Sequence, residues 1–294
     1  MIKPLVSVVL GSYNRFTFLK AAIESIRQNG ITIPFEIVVI DGGSTDGSIK
    51  WLIQQKDIIT IVQHNHGEWN NHLLEGHSWG YYMNIGFRST HGKYILLISD
   101  DNLLVPGAVM NGFEEFERLE AGGRKVGALA FYWRNWPGME NYWVGLSLGK
   151  MFVNFGMFLR QALDKVGWID EDTYAFYCAD IDLAFKIWQA GYAILDSKDS
   201  FVEHHLHANN YPKASNDQEI FLNKWLDIFD IPDKNAYLSD LGKERTWIYH
   251  SFIDNSNTVA KFPSFARPIH HRVLGRIRQK IRPFYGRIKN LIRQ

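Results

Sequence analysis

Apolar runs alternate with helix-spaced segments over the first 120 residues. Four short apolar runs rich in Val, Ile and Leu predict strands: residues 5–10, 35–40, 58–62 and 94–98. The runs at 5–10 and 35–40 are typical of strands buried on both faces. Two segments between them, 16–28 and 80–90, carry apolar residues at helical spacing, and Pro106 opens a further helix. This alternation predicts an open α/β sheet with parallel strand order.

Beyond residue 125 the pattern is irregular and rich in aromatic residues. These rings fit an aromatic core, or they line a cleft that receives the apolar face of a sugar. A helix is predicted over 178–190, ended by Gly191, and another through Phe221 and Trp225.

Polar clusters follow three of the predicted strands, at residues 12–15, 41–44 and 99–102. In an open α/β sheet, ligands bind outside the carboxyl ends of the strands. Asp100 and Asp101 are adjacent carboxylates that repel each other, and a divalent cation with oxygen ligands would relieve this repulsion. The alternative is that one Asp starts the loop through an Asx-turn and the other is solvated.

Five motifs in order resemble those of the family-2 glycosyltransferases, over roughly residues 4–205. They are VSVVLGSYNR (6–15), EIVVIDGGSTD (36–46), NIGFRSTHGKY (84–94), SDDN (99–102) and ADIDL (179–183). The resemblance implies a GT-A fold, with a Rossmann-like, mostly parallel central sheet flanked by helices. It also implies an inverting transfer of sugar from a nucleotide-diphosphate donor, with Mn²⁺ or Mg²⁺ as cofactor.

The resemblance assigns roles residue by residue. Asp180 matches the general base, Asp101 the metal ligand, and His204 a position that helps to hold the metal or the diphosphate. The donor's base and ribose would be held by the remaining matched positions, which are Ser12, Tyr13, Asn14, Arg15, Asp41, Asn84 and Asp100.

Three positions depart from the family pattern. Gly42 stands where a second acid is common, Ile98 replaces an acid two residues before the Asp pair, and Ala179 replaces a frequent Glu. The first two changes affect contacts to the base and ribose, and the third leaves Asp180 without an acidic neighbour.

Asp182 competes with Asp180 for the role of base. On a helix the two residues lie about 200° apart, so only one can face the cleft. Asp180 is favoured by the motif match, and its alternative role is that of a helix N-cap.

Histidine and cysteine residues raise the question of a zinc site, a disulfide or a nucleophile. His64, His66, His72 and His77 lie close in sequence, but their spacing matches no standard zinc pattern, and a polar loop over the donor cleft is favoured. Cys178 is the only cysteine, so a disulfide within the chain is excluded. We interpret Cys178 as a buried filler and not as a nucleophile.

The charge of the chain is uneven. Residues 255–294 contain ten Lys and Arg and no Asp or Glu, although the net charge of the whole chain is +1. We expect a GT-A domain at 1–230 and a helical, basic, amphipathic extension at 231–294. The extension suits an anionic membrane surface, with a packed C-terminal helix or nucleic-acid binding as alternatives.

No apolar run approaches the ~18 residues that span a bilayer, so a cytoplasmic protein, possibly at the inner face of the membrane, is the expectation. The expected partners are a UDP-sugar donor and a glycan or lipid-linked acceptor of cell-surface polysaccharide synthesis. Two alternatives stay open: a nucleotidyltransferase, and a non-catalytic nucleotide-sugar-binding protein on the same fold.

Overall fold

The computed structural model describes residues 3–65, 67–136, 139–205, 216–228 and 244–249. Its strands are β1 (Val6–Ser12), β2 (Phe35–Asp41), β3 (Ile58–Val62), β4 (Glu68–Trp69), β5 (His72–Leu73), β6 (Tyr94–Leu97), β7 (Asn102–Leu104), β8 (Val126–Trp136), β9 (Asn141–Ser147), β10 (Lys150–Met151), β11 (Gly156–Leu159), β12 (Ala193–His205) and β13 (Arg245–Tyr249). Its helices are α1 (Phe16–Arg27), α2 (Ser48–Leu52), α3 (Trp79–Arg88), α4 (Ala108–Ala121), α5 (Arg160–Val166), α6 (Ala179–Gln189) and α7 (Asp217–Trp225).

The first half of the chain forms the parallel part of the central sheet. Strands β3, β2, β1 and β6 lie side by side in that order, and every neighbouring pair is parallel. The four predicted strands and the parallel order are therefore confirmed. The chain leaves β1 toward β2 on one side and returns to β6 on the other, so the sheet has a topological switch point between β1 and β6, where such folds bind ligands.

Antiparallel pairing extends the sheet beyond β6. Strand β11 lies antiparallel between β6 and β8, and β9 and β10 continue the sheet outward. Strand β12 runs parallel to β8 and also pairs antiparallel with β7. The aromatic segment after residue 125 is thus mostly strand, which its sequence concealed because β8 is buried along most of its length and shows no alternation.

Helix α3 packs directly on β1 and β2 through Gly86. A Cβ at this position would lie 2.2 Å from Ile40 Cδ1 and 2.8 Å from Val9 Cγ1. Only glycine lets the helix come this close to the sheet, and the close approach fixes the N-terminal end of α3 beside the strand ends.

The C-terminal part of the chain is described at 244–249 alone. There β13 pairs antiparallel with β9, so this piece of the segment predicted to be helical is a strand of the sheet. The basic residues 255–294, together with His66 and His207, lie outside the described residues. None of the helices described here is both long and apolar enough to cross a membrane.

Candidate active site

A cleft of about 1070 Å³ opens at the carboxyl ends of β1, β2 and β6. Its floor includes Ser12, Asp100 and Asp101, and its opposite wall includes Asp180 at the start of α6. Pockets for drug-sized ligands measure about 300–1,000 Å³, so the cleft has room for a nucleotide-sugar and part of a second substrate.

Four polar side chains meet at the switch point of the sheet: Ser12, Arg15, Asp100 and Asp101. Ser12 Oγ donates to Asp100 Oδ2 over 2.9 Å. Arg15 Nη1 bridges the two carboxylates, at 3.0 Å from Asp100 Oδ1 and 2.9 Å from Asp101 Oδ2. Asp100 and Asp101 are 3% and 5% exposed. One guanidinium therefore faces two buried carboxylates, and the group of three carries a net negative charge.

The electrostatics of Asp100 and Asp101 favour a second cation in addition to Arg15. Burial raises the pKa of Asp100, and the negative charge of Asp101 raises it further, while Arg15 acts in the opposite direction. The positive charge of Arg15 thus offsets only part of the repulsion between the two carboxylates. The alternative of a solvated Asp in this pair is wrong, because both side chains are buried.

Asp101 and His204 are the protein groups that fit a divalent ion. His204 Nε2 lies 3.8 Å from Asp101 Oδ1, and the backbone N–H of His205 donates to Asp101 O, which ties β12 to the Asp pair. His204 Nδ1 lies 2.7 Å from Asn135 Oδ1. Because an amide oxygen can only accept, Nδ1 donates to Asn135, and Nε2 is the ring nitrogen that lies nearer to Asp101.

Within the described part of the chain, no three His, Cys, Asp or Glu side chains come together closely enough to hold an ion by themselves. Mg²⁺ and similar ions are commonly held by one or two carboxylates together with substrate phosphates, so two protein ligands are enough in principle. The donor set of Asp101 and His204 therefore fits a substrate-bound divalent ion better than a permanent structural metal.

Asp180 is half-buried at the second position of α6 and lines the cleft. Its Oδ1 accepts from the backbone N–H of Ile181 over 2.9 Å, and its Oδ2 accepts from Asn154 Nδ2 over 3.0 Å. Burial raises the pKa of Asp180 to about 6, and these hydrogen bonds oppose the rise. A carboxylate with this pKa is ionised at pH 7 and basic enough to take a proton from a reacting hydroxyl.

Asp182, unlike Asp180, lies in the interior of the protein. Asp182 is fully buried, where its Oδ1 accepts from Tyr174 Oη and Trp225 Nε1 and pairs with Lys224 Nζ at 2.8 Å.

The N-cap of α6 is Cys178 and not Asp180. Cys178 is in a left-handed conformation with φ 64°, and its side chain makes no capping hydrogen bond. Burial raises the pKa of the Cys178 thiol to about 12, so the thiol stays protonated. Cys178 is only half-buried and lines the cleft, so it is not the buried filler that we expected.

Three residues assigned to the donor are absent from the wall of the cleft. Asn14, with φ 52°, accepts from Thr45 N and binds the 41–47 loop. Asp41 is fully buried and accepts from the backbone N–H groups of Gly43 and Ser44.

Asn84 is likewise absent from the residues that line the cleft. It is buried and bonds the backbone of Ile169 through both ends of its amide. The geometry gives these three residues scaffold contacts, and their assignment to the donor stays a prediction.

Tyr13 does reach the cleft, where its ring is 45% exposed. The ring lies over Gly42, at 3.2 Å from where a Cβ of residue 42 would stand. Position 42 is often acidic in the family. The glycine found here has no side chain, and this leaves space for the Tyr13 ring.

The ends of the histidine-rich loop also line the cleft. Asn65 Oδ1 accepts from His77 N over 2.6 Å, and both residues belong to the cleft wall. The hairpin β4–β5 lies between them in sequence, with Trp69 67% exposed.

Sequence reasoning missed four residues that shape the site: Asn135, Asn154, Phe176 and Asp217. Both carboxylate oxygens of Asp217 accept backbone N–H groups of residues 175–177, the loop just before Asp180. That loop exposes the ring of Phe176 in the cleft. No sequence motif marks these residues, because each acts through a partner that is distant in the sequence.

Comparison with known proteins bears on the family and the fold of this chain. The profile of glycosyl transferase family 2 matches residues 7–181. A Bacillus subtilis protein described as uncharacterized glycosyltransferase YwdF is 24% identical over 189 residues, which cover 60% of this chain and 66% of that protein. The uncharacterized protein y4gI of Sinorhizobium fredii is 23% identical over 282 residues, covering 85% of this chain. The chain spans only 28% of y4gI and slightly less than two thirds of YwdF.

Solved structures share the fold. A fragment of S. aureus TarS in complex with UDP-GlcNAc matches with a TM-score of 0.56 and 14% identity, covering 79% of this chain and 69% of that one. The mannosyltransferase PcManGT of Pyrobaculum calidifontis, in complex with GDP-Man and Mn²⁺, matches with a TM-score of 0.51 and 15% identity, covering 83% and 76%. At these identities the likeness concerns the fold. Since the family profile matches more than half of its residues, the chain belongs to glycosyl transferase family 2, and it has the GT-A fold that its sequence predicted.

Proposed function

We propose that this protein is a metal-dependent, inverting glycosyltransferase that moves a sugar from a nucleotide-diphosphate donor to an acceptor hydroxyl. One observation carries the proposal: the buried pair Asp100 and Asp101 and the half-buried base Asp180 line the same cleft. A cation site and a separate carboxylate facing one cavity are what this reaction needs, because it expels a diphosphate and deprotonates a hydroxyl.

The donor would lie over the floor of the cleft. The exposed ring of Tyr13 offers a flat face for the nucleobase, and Asp100, buried at the switch point, is placed for the ribose hydroxyls. We favour UDP, on its frequency in the family. TarS and PcManGT, which share the fold, were solved with UDP-GlcNAc and with GDP-Man, and this supports the donor class and leaves the base open.

Asp101 and His204 would hold Mn²⁺ or Mg²⁺. When bound, the ion supplies Lewis-acid stabilisation of the charge that grows on the leaving diphosphate. Asn135, by accepting from Nδ1 of His204, would leave Nε2 for the ion, and Arg15 adds a fixed positive charge beside the carboxylates. Asn14, Asp41 and Asn84 would support the donor site from behind, through the loops they anchor.

Asp180 would act as the general base. Its carboxylate takes the proton of the acceptor hydroxyl while the oxygen of that group forms a bond to C1 of the sugar. The bond between C1 and the diphosphate oxygen breaks with its electron pair on the diphosphate. A single displacement of this kind inverts the configuration at C1, and general base catalysis typically contributes about 10²–10⁴ in rate.

The acceptor and location are further parts of the proposal. A glycan or lipid-linked acceptor fits the aromatic wall that Phe176 and Trp143 contribute. The domain boundary expected at residue 230 does not hold as it stands, because β13 belongs to the sheet. A basic segment at 255–294 that touches an anionic membrane would suit cell-surface polysaccharide synthesis.

A nucleotidyltransferase is the second candidate, and one feature speaks against it. Such enzymes usually carry a glycine-rich loop with Lys or Arg after the first strand. Here β1 is followed by Tyr13 and Asn14, and the single Arg15 is engaged with two carboxylates.

Incubation with a panel of UDP-, GDP- and dTDP-sugars, with Mn²⁺ or with chelator, tests the proposal. We expect metal-dependent release of free sugar and nucleoside diphosphate. Release of pyrophosphate would establish the nucleotidyltransferase instead. Binding of a nucleotide-sugar without either product would indicate a non-catalytic protein.

A further inference from the structure

The side chain of Asn154 links the base Asp180 to the sheet. Asn154 lies between β10 and β11 and lines the cleft. Its Nδ2 donates to Asp180 Oδ2 over 3.0 Å, and its Oδ1 accepts from Trp133 Nε1 over 3.2 Å. Each end of the amide thus has one partner.

Trp133 decides which way the amide of Asn154 points. An indole N–H can only donate, so the carbonyl oxygen of Asn154 must face Trp133 and its NH₂ group must face Asp180. The opposite orientation would place a carbonyl oxygen against a carboxylate and an NH₂ group against an N–H. Both contacts would be repulsive, so the indole selects the orientation in which Asn154 donates to the base.

Trp133 is itself held rigidly by neighbouring rings. Its ring centroid lies 4.0 Å from that of Trp143 and 5.5 Å from that of Phe155, which it meets edge to face. It also meets His204 edge to face at 5.5 Å. The ring that orients Asn154 therefore has little freedom to turn, and it touches the metal side of the cleft as well.

Strand β8 thereby supports both halves of the site. Trp133 and Asn135 are two residues apart, so they project from the same face of the strand. Asn135 fixes His204 on the metal side, while Trp133 acts through Asn154 on the side of the base.

We propose that Asn154, oriented by the indole N–H of Trp133, is a positioning residue that holds the carboxylate of Asp180 in place and stabilises its ionised form. The inference rests on the proposed function for the role of Asp180 as base. The hydrogen bond itself exists whether or not the protein transfers sugar.

Burial alone would push Asp180 toward its neutral, inactive form. It raises the pKa to about 6 even with Asn154 donating to the carboxylate. A hydrogen bond to a charged group contributes more than one between neutral groups, so its loss should raise the pKa further, by about one.

The pKa of Asp180 can be measured by carbon-13 NMR of labelled Asp carboxylates, with Asp180→Asn to assign the signal. We expect Asn154→Ala to raise this pKa by about one. Trp133→Phe keeps the ring and removes only the N–H, so it should raise the pKa in the same direction by less. Asn111→Ala is the matched control, because Asn111 bonds the Asp199 backbone away from the cleft, and it should change nothing.

The pH profile of donor turnover is the second readout. In Asn154→Ala the acidic limb of kcat/KM should move to higher pH by the same amount as the measured pKa, while KM for the donor stays near that of the wild type. A merely structural role would lower the rate at every pH without moving the limb.

The outcomes separate the two proposals. An unchanged pKa in Asn154→Ala, or no effect of Trp133→Phe, overturns the positioning role while leaving the transferase assignment intact. A raised pKa in a protein that turns over no donor overturns the transferase assignment, and the orientation of Asp180 by Asn154 then stands.

Discussion

Asp180 and Asp182 are two residues apart at the start of α6, and one faces the open cleft while the other is sealed in the core. Their hydrogen-bond partners differ accordingly. Asp180 bonds Asn154 beside the cleft, and Asp182 holds α7 through Trp225 and Lys224. This difference supports our proposal of a chemical role for Asp180 and gives Asp182 a structural one.

Substitution at the two positions should separate these roles. Asp180→Asn should lower kcat by about 10²–10⁴-fold because it removes the base. Its melting temperature at pH 7 should equal or exceed that of the wild type, because the raised pKa of Asp180 means that its charge is disfavoured by folding. Steady-state kinetics and thermal denaturation measure the two effects.

Asp182→Asn is the matched comparison. It removes the charge that pairs with the partly exposed Lys224, although its amide oxygen can still accept from Tyr174, so the free energy of unfolding should fall by about 1–3 kcal/mol. A stable Asp182→Asn protein without activity would reverse our assignment of the base.

The pH dependence of transfer should follow the ionisation of Asp180. The base acts when it is unprotonated, so kcat/KM should rise between pH 5 and pH 7 with a midpoint near 6. Asp180→Asn should abolish this limb in the residual rate. A limb that survives in Asp180→Asn would have to come from another group.

Removal of Arg15 should make the protein depend more strongly on a divalent cation. In Arg15→Gln the carboxylates of Asp100 and Asp101 lose their shared counter-charge. Because Arg15 is 35% exposed and partly screened, we expect a loss of about 1–3 kcal/mol in the free energy of unfolding. Mn²⁺ should raise the melting temperature of this variant more than that of the wild type, and chelator should reverse the gain.

Arg27→Gln is the control for this experiment. Arg27 pairs with the exposed Asp57 at the surface, so its removal should cost less than about 1 kcal/mol and leave the response to Mn²⁺ unchanged. An equal response to Mn²⁺ in all three proteins would place the ion away from the Asp pair.

Asn135 should control metal affinity without touching the metal. Asn135→Leu removes the acceptor that keeps the proton of His204 on Nδ1. Such outer partners typically contribute about 10–100-fold to metal affinity, so Mn²⁺ should bind more weakly by that factor in the presence of UDP. Titration of the bound ion by electron paramagnetic resonance measures this, and His204→Ala should weaken binding at least as much.

The control for the histidine variants is His91→Ala. His91 is exposed and pairs with Glu36. Its loss should leave Mn²⁺ affinity unchanged. If Asn135→Leu behaves like His91→Ala, the tautomer of His204 has no influence on the ion.

Asp217 should govern the order of the loop at 175–177. Asp217→Ala leaves three backbone N–H groups without their acceptor, so amide exchange at 175–177 should become about 10–100-fold faster. Hydrogen exchange followed by mass spectrometry measures this local opening. Glu219→Gln, on the exposed side of the same helix, should leave the exchange rates unchanged. Exchange at 175–177 in Asp217→Ala that is as slow as in the wild type would contradict the role of Asp217 in holding this loop.

The local pattern of apolar residues was enough to predict the parallel strands of the central sheet. Short apolar runs gave β1, β2 and β6, because inner strands of a parallel sheet are buried on both faces. They also gave β3, which lies at the edge of the sheet and is partly exposed. Their parallel order brought the polar residues that follow each strand to one edge, which is why Ser12 and Asp100 could be predicted to meet.

Only the tertiary structure decided which of the predicted polar residues face the cleft. Asn84 and Asp41 bond the backbone, whereas Tyr13 reaches the opening over Gly42, and these directions depend on packing between segments distant in the chain. The supporting residues Asn154 and Asn135 were invisible for the same reason. A hydrogen bond between residues 26 or 69 positions apart leaves no periodic trace in the sequence, because it exists only once the chain has folded.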